Sequence, residues 1–325
     1  MKCRHCGCQS MAPFLDLGTA PPSNSYLSTE GLAGPELWDP LVIRVCTECL
    51  LVQTEDFAAR ETFFSESYAY FSSFSTSWLN HAKAYVKAMI ARFGLGPQSH
   101  VVEVASNDGY LLQYVKAAGI ACLGIEPTKS TADAAREKGI AVIEEFFGEA
   151  LARKLVAEGH GADLTAANNV LAHVPDINDF VRGFAVLLTP EGVSTFEFPH
   201  LMNMVAESQF DTAYHEHYSY LSLTTVDRIF AANGLRVFDV ETTPWHGGSL
   251  RIFACRSDSA THPTQPNVSA LLQREAESGL RDLATYAAFQ TQAERVRNDF
   301  TTFLIDCQRQ GMQVAAYGAA AKGNT

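Results

Sequence analysis

Val101-Val102-Glu103-Val104-Ala105-Ser106-Asn107-Asp108-Gly109-Tyr110, followed by Leu111-Leu112-Gln113-Tyr114-Val115, runs an apolar strand through a small polar turn into a helix. A short apolar run bounded by turn residues reads as a strand buried on both faces. The pattern recurs. Cys122-Leu123-Gly124-Ile125-Glu126 is a second strand, residues 131–138 a helix, and Ala141-Val142-Ile143 a third, short strand. Asp163-Leu164-Thr165-Ala166-Ala167 and Gly192-Val193-Ser194-Thr195-Phe196-Glu197-Phe198 add two more. Strands separated by helices predict an α/β fold around a mainly parallel sheet with right-handed crossovers. In such sheets ligands bind beyond the carboxyl ends of the strands, so the turn at residues 105–109 is the first place to look for a cofactor.

That turn holds Ser106, Asn107, Asp108 and a single glycine, Gly109, after Glu103 and Ala105. A nicotinamide dinucleotide calls for Gly-x-Gly-x-x-Gly to cradle its pyrophosphate. An adenosyl cofactor without a pyrophosphate needs no such cradle, which favours S-adenosylmethionine. Glu126 closes the second strand, where a carboxylate can accept hydrogen bonds from both hydroxyls of a ribose. The plainer alternative is a capped turn in which Asn107 and Asp108 serve the next helix.

Outward from this core, the N-terminus carries Cys3-x-x-Cys6 and Cys46-x-x-Cys49. Two such knuckles can close a tetrahedral zinc site of four thiolates. No leader precedes Met1-Lys2-Cys3, and a cytoplasmic chain spends such spacings on metal rather than disulfides. Cys8 is a spare thiol beside the first knuckle and an open substitute for Cys6. The net charge of −12 argues against a nucleic-acid surface, which needs clustered Lys and Arg. No apolar run reaches the roughly 18 residues of a membrane span.

Four parts are expected along the chain. Residues 1–60 form a zinc-binding module stapled by its metal, and residues 61–98 an aromatic and then helical connector. Residues 99–258 form a Rossmann-like domain, closed by strands at residues 235–240 and 249–254 that could pair antiparallel at an edge. Residues 268–325 would begin a second α/β domain: helical to residue 310, then a strand at residues 313–317 and a glycine-flanked turn holding Lys322. Because a lone strand cannot satisfy its backbone groups, that domain is expected to be incomplete.

The knuckles, the Glu-x-x-Ser-Asn-Asp-Gly turn, Gly124-Ile125-Glu126-Pro127, Asn168-Asn169-Val170-Leu171-Ala172-His173-Val174 and Tyr214-His215-Glu216-His217 occur in that order. Together they resemble the zinc-containing sugar C-methyltransferases that act on nucleotide-linked (dTDP) 4-keto-deoxysugars. The resemblance spans essentially the whole chain. It implies a structural zinc module, a class I methyltransferase domain binding S-adenosylmethionine, and a C-terminal α/β domain that helps hold the nucleotide-sugar. It also implies that Pro127, Asn168 and Asn169 join the cofactor site, that Tyr68 and His173 border the active site, and that His246 closes over the sugar.

Carbon is a poor nucleophile until a neighbouring carbonyl acidifies its proton, so this chemistry needs a base and a donor for the enolate oxygen. Tyr214-His215-Glu216-His217 concentrates suitable groups. His217 is the expected base, with an intrinsic pKa of about 6.5. Glu216 would orient an imidazole or bind sugar hydroxyls, and Tyr214 would donate to the enolate oxygen. Lys322 could meet a diphosphate at a helix N-terminus. Plainer readings stand beside these. Tyr68 could pack with Phe71 and Phe74, His173 could cap a helix near Asp176, and His246-Gly247-Gly248 could be a simple bend. Rival functions are an O- or N-methyltransferase on a small molecule, or a non-catalytic cofactor-binding remnant.

Overall fold

The computed structural model describes residues 1–23, 27–57 and 70–316. Its centre is a seven-stranded sheet in the order β10-β11-β8-β7-β4-β5-β6. The strands are β4 (His100–Val104), β5 (Ala121–Ile125), β6 (Ala141–Ile143), β7 (Ala162–Asn168), β8 (Leu188–Pro199), β10 (Leu235–Thr243) and β11 (Ser249–Arg256). β4 to β8 pair in parallel, while β11 runs antiparallel to both β8 and β10. The antiparallel pair expected at the edge is therefore present.

Helices cover both faces: α1 (Thr76–Phe93), α2 (Leu112–Ala117), α3 (Lys129–Glu137), α4 (Glu149–Ala157), α5 (Ile177–Leu187), α6 (Leu201–Glu207) and α7 (Leu223–Ala232). Because β4, β5 and β7 bury side chains on both sides, Val102, Val104 and Ile125 belong to one apolar cluster and Val101, Leu164 and Ala166 to another. α1 starts where Ser75 accepts a hydrogen bond from Trp78 N and stops at Gly94, whose φ of 63° suits a left-handed cap.

A second, four-stranded sheet is less evident from periodicity. β1 (Met11–Ala20), β2 (Asp39–Cys46) and β3 (Val52–Thr54) come from the cysteine-bearing segment. Its fourth strand, β9 (Ser219–Tyr220), comes from the chain just after Tyr214–His217 and pairs with β3. The N-terminal segment and the central domain thus share a sheet.

Beyond β11 the chain forms α8 (Pro266–Glu277) and α9 (Leu283–Arg309). α9 packs on β1, where Phe289 stacks on Phe14 with ring centroids 4.7 Å apart and Tyr286 meets the same ring edge-on at 6.0 Å. Helix was expected from residue 270 to 310, and the two helices supply it with a break at residues 278–282. A strand was expected at residues 313–317. Residues 313–316 instead have no regular structure, and no strand among the described residues pairs with them. Tyr317 onward, including Lys322, lies outside the described residues, as does Tyr68. Among the described residues no helix is long and apolar enough to cross a membrane.

Candidate active site

A cavity of about 490 Å³ opens at the carboxyl ends of β4, β5 and β7. One wall is made by the strand-exit turns. Ala105, Asn107, Glu126, Pro127, Asn168 and Asn169 all line it. The first turn is tightly wound: Ala105, Asn107 and Gly109 have φ of 58°, 48° and 74°. A side chain at Gly109 would be strained, because its φ is left-handed and a Cβ there would lie 2.4 Å from Ile140 Cδ1, forcing that side chain to shift.

Glu126 is 5% exposed and closes the turn. Its carboxylate accepts from Asn107 N at 2.9 Å, Thr128 N at 3.0 Å and Thr128 Oγ1 at 2.5 Å. Burial pushes its pKa up, against the pull of those donors. A carboxylate has about four acceptor sites, so one direction stays available to a ligand. The buried amide oxygens of Asn168 and Asn169 have no hydrogen-bond partner among the described residues. Buried acceptors of this kind normally find a donor, so their orientation suits a cofactor rich in hydroxyl and amino groups. These residues fit S-adenosylmethionine.

Four expected cofactor residues do not line the cavity. Ser106 lies against Gly124, where an added Cβ would meet Ser106 Oγ at 2.5 Å. Asp108 accepts from Ser73 N at 3.3 Å and pairs with Lys138 at 3.2 Å. Gly109 packs on Ile140 and Ala135, and Glu103 is fully buried, its carboxyl driven well above its usual range by that burial. Ser106, Asp108 and Gly109 shape the turn instead. Asn107 serves both purposes, since its side chain also accepts from Ser72 N at 2.8 Å and donates to Tyr70 O at 3.0 Å.

The opposite wall carries His173, Tyr214, Glu216, His217 and His246. His217 N donates to Tyr214 O at 3.0 Å, closing a four-residue turn. His217 Nδ1 lies 2.8 Å from Thr212 O, a carbonyl that can only accept. The proton therefore sits on Nδ1 in the neutral ring, and Nε2 presents its lone pair. The Tyr214 hydroxyl is 2.9 Å from that Nε2 and donates to it. His173 meets the His217 ring edge-on, centroids 4.6 Å apart, and burial holds the His173 imidazole down to about 4. His173 also ends its turn ahead of Asp176, whose side chain caps α5 through Asp179 N at 2.9 Å. Asp176 thus takes the capping role weighed for His173.

Glu216 is 1% exposed and accepts from Ser23 Oγ at 2.6 Å. His215 Nε2 lies 3.2 Å from both Asp39 O and Pro40 O, facing β2 and away from the cavity lining. His246 reaches the cavity because His246, Gly247 and Gly248 all take positive φ, at 53°, 79° and 98°. The bend is therefore what brings His246 to the cavity.

Several lining residues were not singled out from sequence. Glu145, Phe146 and Phe147 follow β6 directly, and the rule that ligands bind at strand ends points to them. Tyr70, Trp78 and Thr212 carry no such signal, because they enter through tertiary packing.

Cys3, Cys6, Cys46 and Cys49 place their sulfurs within 4.8 Å of one another, with Cys3–Cys49 at 3.4 Å and Cys6–Cys46 at 3.5 Å. Four thiolates near 2.3 Å from one zinc ion stand about 3.8 Å apart, so the group fits that ion. Cys8 is outside it and accepts instead from Ser10 N at 3.3 Å. The open choice between Cys6 and Cys8 resolves to Cys6.

Comparison with known proteins is consistent with both sites. A family model described as "C-methyltransferase C-terminal domain" matches residues 244–325, one described as "Methyltransferase domain" residues 78–240, and one for a zinc binding domain residues 3–64. The chain is 33% identical over 324 residues to C-methyltransferase NovU of Streptomyces niveus, covering 99% of this chain and 76% of that protein. Among solved structures, magnesium protoporphyrin IX methyltransferase of Synechocystis PCC 6803 matches with TM-score 0.44 and 15% identity, over 55% of this chain and 83% of that one. The PH0226 protein of Pyrococcus horikoshii OT3 matches with TM-score 0.47 and 13% identity, over 61% and 96%.

Proposed function

The chain belongs to the zinc-containing, S-adenosylmethionine-dependent C-methyltransferases, and on that premise we propose that it methylates the carbon beside the ketone of a nucleotide-linked 4-keto-deoxysugar. The observation that carries this reading is the tautomer of His217. Its Nδ1 proton is committed to Thr212 O, so the basic Nε2 belongs to the cavity, next to a phenol that can serve an oxyanion.

S-adenosylmethionine, when bound, supplies an electrophilic sulfonium methyl. Ala105, Asn107, Glu126, Pro127, Asn168 and Asn169 would hold it on the strand-end wall that they line. The protein's remaining task is to make the sugar carbon nucleophilic. His217 Nε2 takes the proton from the carbon next to the ketone, and the electron pair of that C–H bond moves towards the carbonyl oxygen. Tyr214 transfers its hydrogen bond from Nε2 to that oxygen as charge develops there. His173, kept neutral by burial, adds no positive charge that would repel the imidazolium formed on His217. Glu216, held by Ser23, lines the cavity where the sugar hydroxyls would sit. His246 covers the cavity mouth and limits water. Tyr68 joins the proposal from the family resemblance, and Lys322 from its place in the glycine-flanked turn after residue 317. Zinc enclosed by Cys3, Cys6, Cys46 and Cys49 would have no open position for substrate and would brace the N-terminal sheet.

The test is incubation in deuterated water with a panel of 4-keto nucleotide-sugars, with and without labelled S-adenosylmethionine. Deuterium should enter the carbon adjacent to the ketone, and the label should then appear on that carbon. Methylation at oxygen or nitrogen without exchange would overturn the reading.

A further inference from the structure

Arg4 lies between two zinc ligands, in Cys3-Arg4-His5-Cys6, yet its side chain is only 5% exposed. Its contacts lead to the active site. Nη2 donates to Thr54 O at 2.8 Å, Nη1 reaches Pro175 O at 3.4 Å, and the guanidinium lies 4.8 Å from the centre of the Tyr218 ring. Thr54 in turn donates its hydroxyl to His217 O at 2.6 Å, and Thr54 N donates to Tyr218 O at 3.2 Å. Pro175 lines the cavity on the loop that carries His173. The side chain therefore spans the two loops that bring His217 and His173 together.

Its backbone is held just as closely. Arg4 N donates to Gln53 Oε1 at 3.0 Å, Gln53 Nε2 donates to Cys3 Sγ at 3.4 Å, and Asn178 Nδ2 donates to the carbonyls of Arg4 and His5 at 3.2 and 2.8 Å. An ion pair with Asp56 balances the charge at the outer edge.

We propose that Arg4 is a positioning residue for the reaction, a fork through which the metal knuckle sets the distance between the His217 and His173 loops. This rests on the reading of His217 as base. The fork is specific to arginine: its planar guanidinium serves two carbonyls and a ring face at once, which a lysine ammonium cannot do.

The test uses the full chain loaded with zinc, comparing Arg4→Lys and Arg4→Gly. Zinc content and S-adenosylhomocysteine affinity should stay near wild type, within about twofold, while hydrogen exchange at the sugar carbon falls about tenfold or more at saturating sugar. Added guanidinium ion should restore exchange in Arg4→Gly and not in Arg4→Lys. Normal exchange by either zinc-loaded variant overturns the inference, and so does a parallel loss of S-adenosylhomocysteine binding, which would mark a purely structural role. If Arg4→Gly does not fold, Arg4→Lys decides. If the wild-type chain exchanges no sugar proton, the catalytic reading fails by itself. The inference is then judged on the His217 Nδ1–H resonance, which should be sharp in wild type and exchange-broadened in Arg4→Lys. An unchanged resonance would overturn it.

Discussion

The two walls of the cavity are built on different plans. The cofactor wall consists of strand-exit turns from one sheet, each within a few residues of the strand that aims it. The acceptor wall is assembled from distant pieces. The Tyr214–His217 turn is tied to Ser23, Thr54, Asp39 and Pro40, all in the N-terminal segment. The first wall follows from the parallel sheet and tolerates change elsewhere. The second depends on a small sheet whose strands β1 to β3 come from the cysteine-bearing segment. Damage to the zinc module should therefore reach the acceptor wall before the cofactor wall.

Removing zinc tests this most severely. Structural zinc in small modules contributes an apparent binding free energy of about 10 kcal/mol or more, so chelation should lower the melting temperature by about 10 °C or more. Exchange at the sugar carbon should be lost while S-adenosylhomocysteine still binds, as calorimetry during a chelator titration can follow. Simultaneous loss of both would erase the distinction between the walls.

His217→Ala comes next. Removing a general base costs about 10²- to 10⁴-fold in rate, and exchange should fall by that much with cofactor affinity unchanged. Near-normal exchange would remove His217 from its role. Glu126→Ala makes the opposite cut. It strands the N–H groups of Asn107 and Thr128, at about 1–3 kcal/mol, and cofactor affinity should drop about tenfold or more. Single-turnover exchange at saturating cofactor should change much less.

A last prediction concerns pH. Burial holds His173 down to about 4 in the folded protein, against about 6.5 in the unfolded chain. Protonation then favours unfolding. The stability tied to the neutral ring is whole above about pH 6.5 and is lost as pH falls from there towards 4, by about 2–4 kcal/mol. His173→Asn should flatten urea midpoints between pH 7 and 5. An unchanged slope would show that this imidazole is not the group that titrates.

Much of this was legible in the amino-acid order because the signals are local. Apolar runs such as Val101–Val104 specify buried strands, polar small-residue turns such as Ser106–Gly109 specify their exits, and Cys-x-x-Cys pairs specify a metal shell. Those features also placed Ala105, Asn107 and Glu126 at the cavity. The same reasoning placed Ser106, Asp108 and Gly109 there too. It could not separate residues that face a ligand from those that bend the chain, because within one turn that depends on left-handed φ values and on neighbours such as Gly124 and Ile140.

The amino-acid order by itself determined the α/β alternation, the two cysteine knuckles of a metal site and the presence of a His-Glu-His cluster, since each depends on spacing within a few residues. Only the tertiary structure decided that Cys6 rather than Cys8 joins the metal group, that β9 joins the N-terminal sheet, that Thr212 O meets His217 Nδ1, and that Arg4 reaches Thr54 O and Pro175 O. Those contacts link residues up to 171 positions apart, and chain geometry carries no local record of which distant carbonyl will meet which donor.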